Sequence, residues 1–447
     1  MTAQCTIQLH AGGRWRDAAV VRLRSDSGAG WRTAFRTGYV PDWAIDHLER
    51  ADACALSCRL PVWLDDHVAD HWPVFLIDCL PQGVGRRQLL VALGFSERAG
   101  PEADWPLLLN GAGNPVGNLR VREAAERMNA QPAQHRGFSV EEVALRGDDF
   151  SDHLAAHGVS VAGASGLQGE WPKLQLTQAD DGLLYLDHAL SDDQARTHYI
   201  VKFGWAHDER FGSILRHERV YMELARMLGL RVHASLALQG RALFIKRFDR
   251  VRGPTGELIR LGQESLASLT DEAGFSPAPS HDVACRQLLD HCSDPQGEIL
   301  EYLRRDIANL ALGNTDNHAR NTAILRDFSG NVSLAPVFDF APMVLHPDGV
   351  ARCMRWQGND GGAPNWMRVI ESLCDADREI RGVNRKDAID PHEMVRSLVA
   401  LAPTLRVIAE RAESMGIEPD LKAMIAPRIR LAVDSLEALS SVSGRTG

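Results

Sequence analysis

No apolar run in this 447-residue chain approaches the length of a membrane-spanning helix, so the membrane-embedded classes are not expected. The opening stretch MTAQCTIQLHAGG lacks the apolar core of a secretory signal peptide, and the expected location is the cytoplasm. No CxxC pair occurs among the eight cysteines, at positions 5, 54, 58, 79, 285, 292, 353 and 374. Cys54 and Cys58 could share a helix face, but no second pair with zinc-like spacing follows. Free buried thiols are the expectation. The seventeen histidines form no metal-type cluster, and His71, His153 and His157 read as ordinary core or surface residues. Positive charge is also scarce. With 49 Lys and Arg against 59 Asp and Glu, the formal charge is -10, which argues against this chain alone coating nucleic acid or an anionic membrane. A local basic patch or a nucleic-acid-binding partner stays open. Internal repeats and long low-complexity tracts are missing too.

What remains is an ordinary globular composition, 45% hydrophobic and 24% charged, in a chain long enough for two or three domains. Three blocks are expected. Residues 1–135 form a β-rich module with strand-like runs CTIQLHAG and AAVVRLR, and QPAQHRG, 131–137, reads as a linker. Residues 138–250 place the short β-rich runs KLQL, LLYLD, HYIVKF and ALFIKRF around one good helix, ILRHERVYMELARMLGL. That helix carries Tyr221, Leu224, Ala225 and Leu228 on one face, with Gly229 as its stop. Residues 251–447 are mainly helical, and the tail SSVSGRTG is expected to fray. The fold class is therefore α/β in the broad sense (α+β).

The densest polar stretch is GNTDNHARN, 313–321. Such density often makes only a turn, because Asn and Asp bond locally and tolerate unusual backbone angles. Its context argues for more. The preceding EILEYLRRDIANLALG carries apolar residues at 299, 300, 303, 307, 310 and 311, a helical stripe that Gly313 should end. After Asn321, the runs TAIL and VSLAPVF joined by RDFSGN suit a hairpin, which delivers Asp339 within PVFDFAP. Phosphoryl transfer needs such parts: a carboxylate for the attacking hydroxyl, and an Asn and a second carboxylate for Mg²⁺. Asp316 and Asn321 have the D-x-x-x-x-N spacing of a kinase catalytic loop, and Asp339 falls where the metal-holding Asp would lie.

Upstream, Lys202 sits on an alternating strand, 16 residues before Glu218 on the following helix, the arrangement of a phosphate-clamping Lys–Glu pair. GASGLQGEWPK offers Gly163, Gly166 and Gly169 as a loop able to bring backbone N–H groups onto phosphate. The order Gly-rich loop, Lys, Glu, Asp, Asn, Asp is the kinase order. Trp205 and Trp356 could stack on a ligand, but core positions are the expectation.

With these residues in view, nearly the whole chain resembles the HipA-like serine/threonine kinases, toxins of bacterial type II toxin–antitoxin systems. LSCRLPVW, WPVFLIDCLPQGVGRR and LLNGAGNPVGNLRV resemble that family's amino-terminal module. SVAGASGLQGEWPKLQL, YIVKF, HERVYMELARMLGL and ALFIKRFDR resemble its nucleotide lobe, and LIRLGQES, GNTDNHARN and LAPVFDFAP its catalytic core. The resemblance implies a two-lobed protein-kinase-like fold, with a nucleotide-binding lobe at 138–250 and a helical catalytic lobe at 251–447. It implies ATP and Mg²⁺ as cofactors, Asp316 as catalytic base, Asn321 and Asp339 as metal ligands and Lys202 as the phosphate-contacting lysine. His318 would lie beside the nucleotide or structure the loop. Lys246, Arg247 and Phe248 would fall at the hinge, meeting adenine mainly through backbone, while Asp249 and Arg250 pair across it. The loop serine that the family phosphorylates on itself would be Ser165 or Ser160. Two departures stand out: the Gly-rich loop is longer than in the best-known toxins, and position 246 is Lys where an acidic residue is frequent.

The expected function is ATP-dependent phosphorylation of a protein Ser or Thr, with an aminoacyl-tRNA synthetase or translation factor as target and growth arrest as outcome. A small-molecule phosphotransferase and a non-catalytic regulator bound to a helix-turn-helix antitoxin are the alternatives. No helix-turn-helix is evident in this chain, so operator binding would come from the partner.

Overall fold

A computed structural model describes residues 3–130, 136–156, 173–204, 209–357, 363–383, 385 and 387–443. Its contacts form two compact units: Met1–Gly204 with Leu236–Phe275 and Leu325–Asn331, and Trp205–Ser235 with Ser276–Ile324 and Val332–Gly447.

In the first unit, alternation builds an antiparallel sheet. Strand β1 (Gln4–Ala11) buries Cys5, Ile7 and Leu9 completely, and its partner β2 (Arg14–Leu23) turns Ala19, Val21 and Leu23 to the same core. Ile7 pairs with Ala19 and Cys5 with Val21, and a register shift follows at Ile7/Gln8. Strands β3 (Phe35–Tyr39), β4 (His67–Ala69) and β5 (Leu119–Val121) complete the order β4-β3-β2-β1-β5. Trp43, Trp72 and Trp105 fill the core beneath, together with residues of the short helices Val74–Asp78, Gly83–Ala92 and Asp104–Gly111. This part is thus more helical than its sequence suggested.

A second antiparallel sheet contains β6 (Lys173–Ala179), β7 (Leu184–Leu186), β8 (Ala195–Phe203), β9 (Ala237–Gln239) and β10 (Ala242–Lys246), in the order β7-β6-β8-β10-β9. Leu176, Val201, Phe203 and Phe244 pack there against Phe138 and Phe150. The helix Val140–Leu145 starts where its sequence dictates: Ser139 and Glu142 form a reciprocal capping box.

A buried ionic network joins the two sheets within this unit. The Arg247 guanidinium, fully buried, donates to Asp249 Oδ2 at 2.7 Å and to Gln175 Oε1 at 2.7 Å. Asp249 Oδ2 also accepts from the Arg250 guanidinium at 2.7 Å and from the Gly117 N–H at 2.6 Å. Asn114 donates to Asp187 Oδ2 at 2.8 Å. Burial by itself would raise the Asp249 pKa, but Arg247 and Arg250 outweigh it and hold the carboxyl well below its ordinary value. Gly117 and Asn114 come from the first sequence block and the arginines from the second. The network thus bonds residues of the first and second sequence blocks to each other within this unit.

The second unit is helical. The Glu209–Met227 helix buries Tyr221, Leu224 and Ala225 as its stripe requires, and Gly229 (φ 70°) follows its end. The helices His281–His291, Pro295–Leu312, Trp366–Arg381, Pro391–Val399, Leu401–Arg411 and Pro419–Ser443 complete the unit. The last of these carries helix through Ser443, further than the fraying expected from Ser440. Pro295–Leu312 packs on Pro419–Ser443 and on His281–His291. It is buried over more than the predicted stripe, because Glu298, Glu301, Arg305 and Asp306 are also inside and paired.

Among the described residues no helix is long and apolar enough to cross a membrane. All eight cysteines are free, and seven are buried as expected; Cys353 is exposed.

Candidate active site

The loop that carries Asp316 is set by the end of the Pro295–Leu312 helix. Asp294 caps its start, accepting from the Gly297 N–H at 3.1 Å, with Pro295 in the first turn. Gly313 closes it in the left-handed region (φ 68°, ψ 30°). A Cβ at 313 would meet Val344 Cγ1 at 2.7 Å, so both backbone and space call for glycine. Beyond it, Asn314 bonds back to Asn309 through its N–H (3.0 Å to the carbonyl) and its side-chain amide (2.9 Å to Oδ1).

Further on the chain makes a 3₁₀ turn, Ala319–Asn321, capped by His318. The His318 Nδ1 accepts the Arg320 N–H at 3.2 Å, so in the neutral ring the proton sits on Nε2, 3.6 Å from Asp316 Oδ1. The Asn321 side-chain amide donates to the Asp316 carbonyl at 2.8 Å, leaving its Oδ1 as the atom able to ligate. Asp316 and Asn321 are half-buried and line one pocket with Asn317, Phe338 and Phe340. The structure thus brings Asp316 and Asn321 together, with His318 capping the turn and standing beside Asp316.

After strand Ala323–Arg326 the chain returns through Val332–Leu334, and the Ala335 N–H donates to the Ala323 carbonyl at 2.8 Å. Arg305 holds the Ala335 carbonyl at 2.7 Å, Arg231 holds that of Leu334 at 2.6 Å, and the Val337 N–H bonds Arg231 O at 2.8 Å. These bonds deliver Asp339 in a left-handed conformation (φ 51°) that residues other than glycine rarely adopt. Next to it Phe340 packs on Tyr221 at 5.5 Å, and the Tyr221 hydroxyl donates to the Leu312 carbonyl at 2.6 Å. One aromatic pair thus anchors the Asp339 segment beside the end of the helix that presents Asp316.

A Mg²⁺ ion needs oxygen donors but few protein ligands, since water and phosphate oxygens complete its shell. Asn321 Oδ1 and the Asp339 carboxylate are donors of that kind. No group of three or more His, Cys, Asp or Glu among the described residues could hold a metal unaided. By their chemistry these two oxygen donors suit a metal brought in with a nucleotide.

The other predicted site residues divide between the units. Lys202 is buried on β8 between the core residues Val201 and Phe203, opposite Leu243 and Lys173. Lys246 is exposed at the end of β10, Arg247 is consumed by the ionic network, and Phe248 is half-buried. These belong to the first unit; Glu218, buried on the Glu209–Met227 helix, belongs to the second. Asp249 and Arg250 pair as expected, although within a network wider than a hinge contact. Gly163, Ser165, Gly166, Gly169, Ser160, His157 and Trp205 lie outside the described residues. Trp356 is a core residue, stacked on His281 at 4.9 Å.

Sequence reading missed Asn317, whose amide bonds the backbone of Cys353 and Met354. It also missed the Asp306–Arg352 pair. Nothing in the spacing tied position 352 to the loop.

Residues 160–400 match the family described as the HipA-like C-terminal domain. The chain belongs to the HipA-like family. The serine/threonine-protein kinase toxin HipA of Shewanella oneidensis is 25% identical over 77% of this chain and 76% of its own length. The candidate kinase Y4mE of Sinorhizobium fredii is 28% identical over 67% of this chain and 71% of its own. Among solved structures, Shewanella oneidensis HipA in complex with HipB and operator DNA superposes with a TM-score of 0.63 at 19% identity, covering 97% of each chain. The fold of this HipA-like protein is accordingly the mixed α/β, two-lobed kinase-like fold, and its curated relatives are named as kinases.

Proposed function

We propose that this HipA-like protein is an ATP- and Mg²⁺-dependent serine/threonine protein kinase. The observation that carries the reading is the Asp316–Asn321 arrangement: both residues line one pocket on a loop held at a helix end, and the Asn321 amide donates to the Asp316 backbone carbonyl at 2.8 Å. In this role Asp316 accepts the proton of the attacking Ser or Thr hydroxyl, and His318 Nε2 steadies its charge. Asn321 and Asp339 hold the metal, which when bound neutralises charge on the phosphates. Lys202 is assigned to the nucleotide phosphates. Lys246, Arg247 and Phe248 meet adenine through backbone atoms, because the Arg247 side chain is already occupied. The loop of Gly163, Gly166 and Gly169 covers the phosphates, and Ser165 or Ser160 within it is the self-phosphorylation site. A phosphoserine there, carrying about -1.5 to -2 charges, would repel the nucleotide and switch the enzyme off.

The substrate we assign is a protein of the translation machinery, such as an aminoacyl-tRNA synthetase or a translation factor, acted on in the cytoplasm. A helix-turn-helix antitoxin is the proposed partner, as the Shewanella HipA structure contains HipB and operator DNA. Residues 1–135, 138–250 and 251–447 are proposed as the amino-terminal, nucleotide and catalytic modules.

Mass spectrometry of phosphorylated proteins after brief expression, beside an Asp316→Asn control, tests the reading. New phosphoserine or phosphothreonine sites dependent on Asp316 support it. Label appearing only on a small molecule redirects it to a small-molecule phosphotransferase. No transfer at all, with antitoxin binding intact, leaves the non-catalytic regulator.

A further inference from the structure

Behind the candidate catalytic loop lies a buried polar cluster to which the proposed mechanism assigns no task. Asp306, 2% exposed and two turns before the end of the Pro295–Leu312 helix, receives the Arg352 guanidinium at 2.9 and 3.0 Å. It also accepts the Trp356 indole N–H at 3.0 Å. His281 stacks on that indole, contacts the Tyr302 hydroxyl through Nδ1 at 2.8 Å, and lies 3.5 Å from Asp306 through Nε2. The backbone joins in, because the His281 N–H donates to the Arg355 carbonyl at 3.0 Å. The segment 352–356 is thereby fastened to two helices.

That segment is in turn bonded to the residue next to Asp316. The Asn317 side-chain oxygen accepts the N–H groups of Cys353 (2.9 Å) and Met354 (3.3 Å), and its amide donates to the Met354 carbonyl (2.9 Å). On the other side, Asn321 holds the Asp316 carbonyl. Asp316 is therefore gripped through both flanks, and the Asn317 grip is only as fixed as the segment it holds.

We propose that Asn317, anchored through Cys353 and Met354 to the buried Asp306–Arg352 pair, is a positioning residue that sets where the Asp316 carboxylate stands. The inference rests on the kinase reading for its consequence but not for its geometry. A base displaced by about 1 Å can lose on the order of 100-fold in rate, and loops hold such tolerances only when a second layer locks them.

The test compares wild type with Asn317→Ala, Arg352→Ala and Arg352→Lys. Transfer from radiolabelled ATP to a serine/threonine peptide library gives kcat and KM for ATP. Hydrogen exchange read by mass spectrometry follows the amides of 314–322. Asn317→Ala should lower kcat at least about tenfold with KM for ATP changed less than about twofold, and should speed loop exchange while the Pro295–Leu312 amides keep their protection. Arg352→Lys, which restores the charge beside Asp306, should recover part of what Arg352→Ala loses. Wild-type kcat and wild-type loop exchange in folded Asn317→Ala would overturn the proposal. So would a loss of kcat that comes only with deprotection of the helix, since that describes a merely structural bond. If the wild-type protein transfers no phosphate, the kinase reading falls, and the exchange of 314–322 alone decides the brace: unchanged exchange in Asn317→Ala refutes it.

Discussion

Replacing Gly313 by Ala puts the presentation of the catalytic loop to a quantitative test. The residue has φ 68°, where a Cβ costs about 1–2 kcal/mol. The new methyl would stand 2.7 Å from Val344 Cγ1 and 3.1 Å from Cγ2, so Val344 or the loop must move. Overpacking of this kind costs about 1–3 kcal/mol. The expected loss is about 2–5 kcal/mol, at roughly 2–4 °C of melting temperature per kcal/mol for a unit of this size. A second substitution separates the two contributions. In a Val344→Ala background the clashing γ-carbons are gone, and Gly313→Ala should then cost only its conformational share. The coupling between the two sites should therefore be favourable by about 1 kcal/mol or more. Thermal melts of the four proteins by circular dichroism supply the cycle. If Gly313→Ala melts within about 1 °C of wild type, the glycine is not required by the helix end, and the argument that it fixes the loop is wrong.

Other outcomes follow from the same geometry. Asp339→Asn removes the one carboxylate assigned to the metal and should reduce Mg²⁺-dependent transfer by at least about 100-fold with an unchanged melting temperature; turnover near wild type would remove Asp339 from the site. Asp249→Ala leaves Arg247 and Arg250 buried without their shared counter-charge, and should cost about 3–5 kcal/mol in urea unfolding of the first unit. A loss below about 1 kcal/mol would show that the network contributes little. Burial works against ionisation of Asp187 and Asp249, yet His198 and Arg247 at the first, and Arg247 and Arg250 at the second, hold both pKa values below the ordinary one. Their stabilisation is complete above the unfolded value and is lost as pH falls, so the melting temperature should drop as pH passes below about 4. In Asp249→Ala that acid-side slope should be shallower.

The candidate chemistry was legible because its parts sit in short runs. The helix stripe ending at Gly313, the five-residue step from Asp316 to Asn321 and the hairpin before Asp339 are local patterns, and local patterns follow from periodicity and turn chemistry. What escaped was long-range. Arg352 meets Asp306 across 46 positions, and Asn114 meets Asp187 across 73, pairings that no periodicity encodes. Arg247 is a third case: its guanidinium meets Gln175 across 72 positions, a partner that the run ALFIKRFDR does not announce. The burial of charged residues on Pro295–Leu312 lies outside the apolar stripe read at 299, 300, 303, 307, 310 and 311, and part of it rests on a distant partner, because Glu298 pairs with Arg231.

The most direct measurement of the central claim is Asp316→Asn, followed by ATP–Mg²⁺ binding and by phosphoryl transfer in parallel. Asp316 is proposed to act on the attacking hydroxyl and not on the nucleotide. The variant should therefore bind ATP–Mg²⁺ within about threefold of wild type while transfer falls by on the order of 100-fold to 10,000-fold. A folded Asp316→Asn protein that transfers phosphate at the wild-type rate, or that loses ATP binding along with transfer, would contradict the role given to this residue.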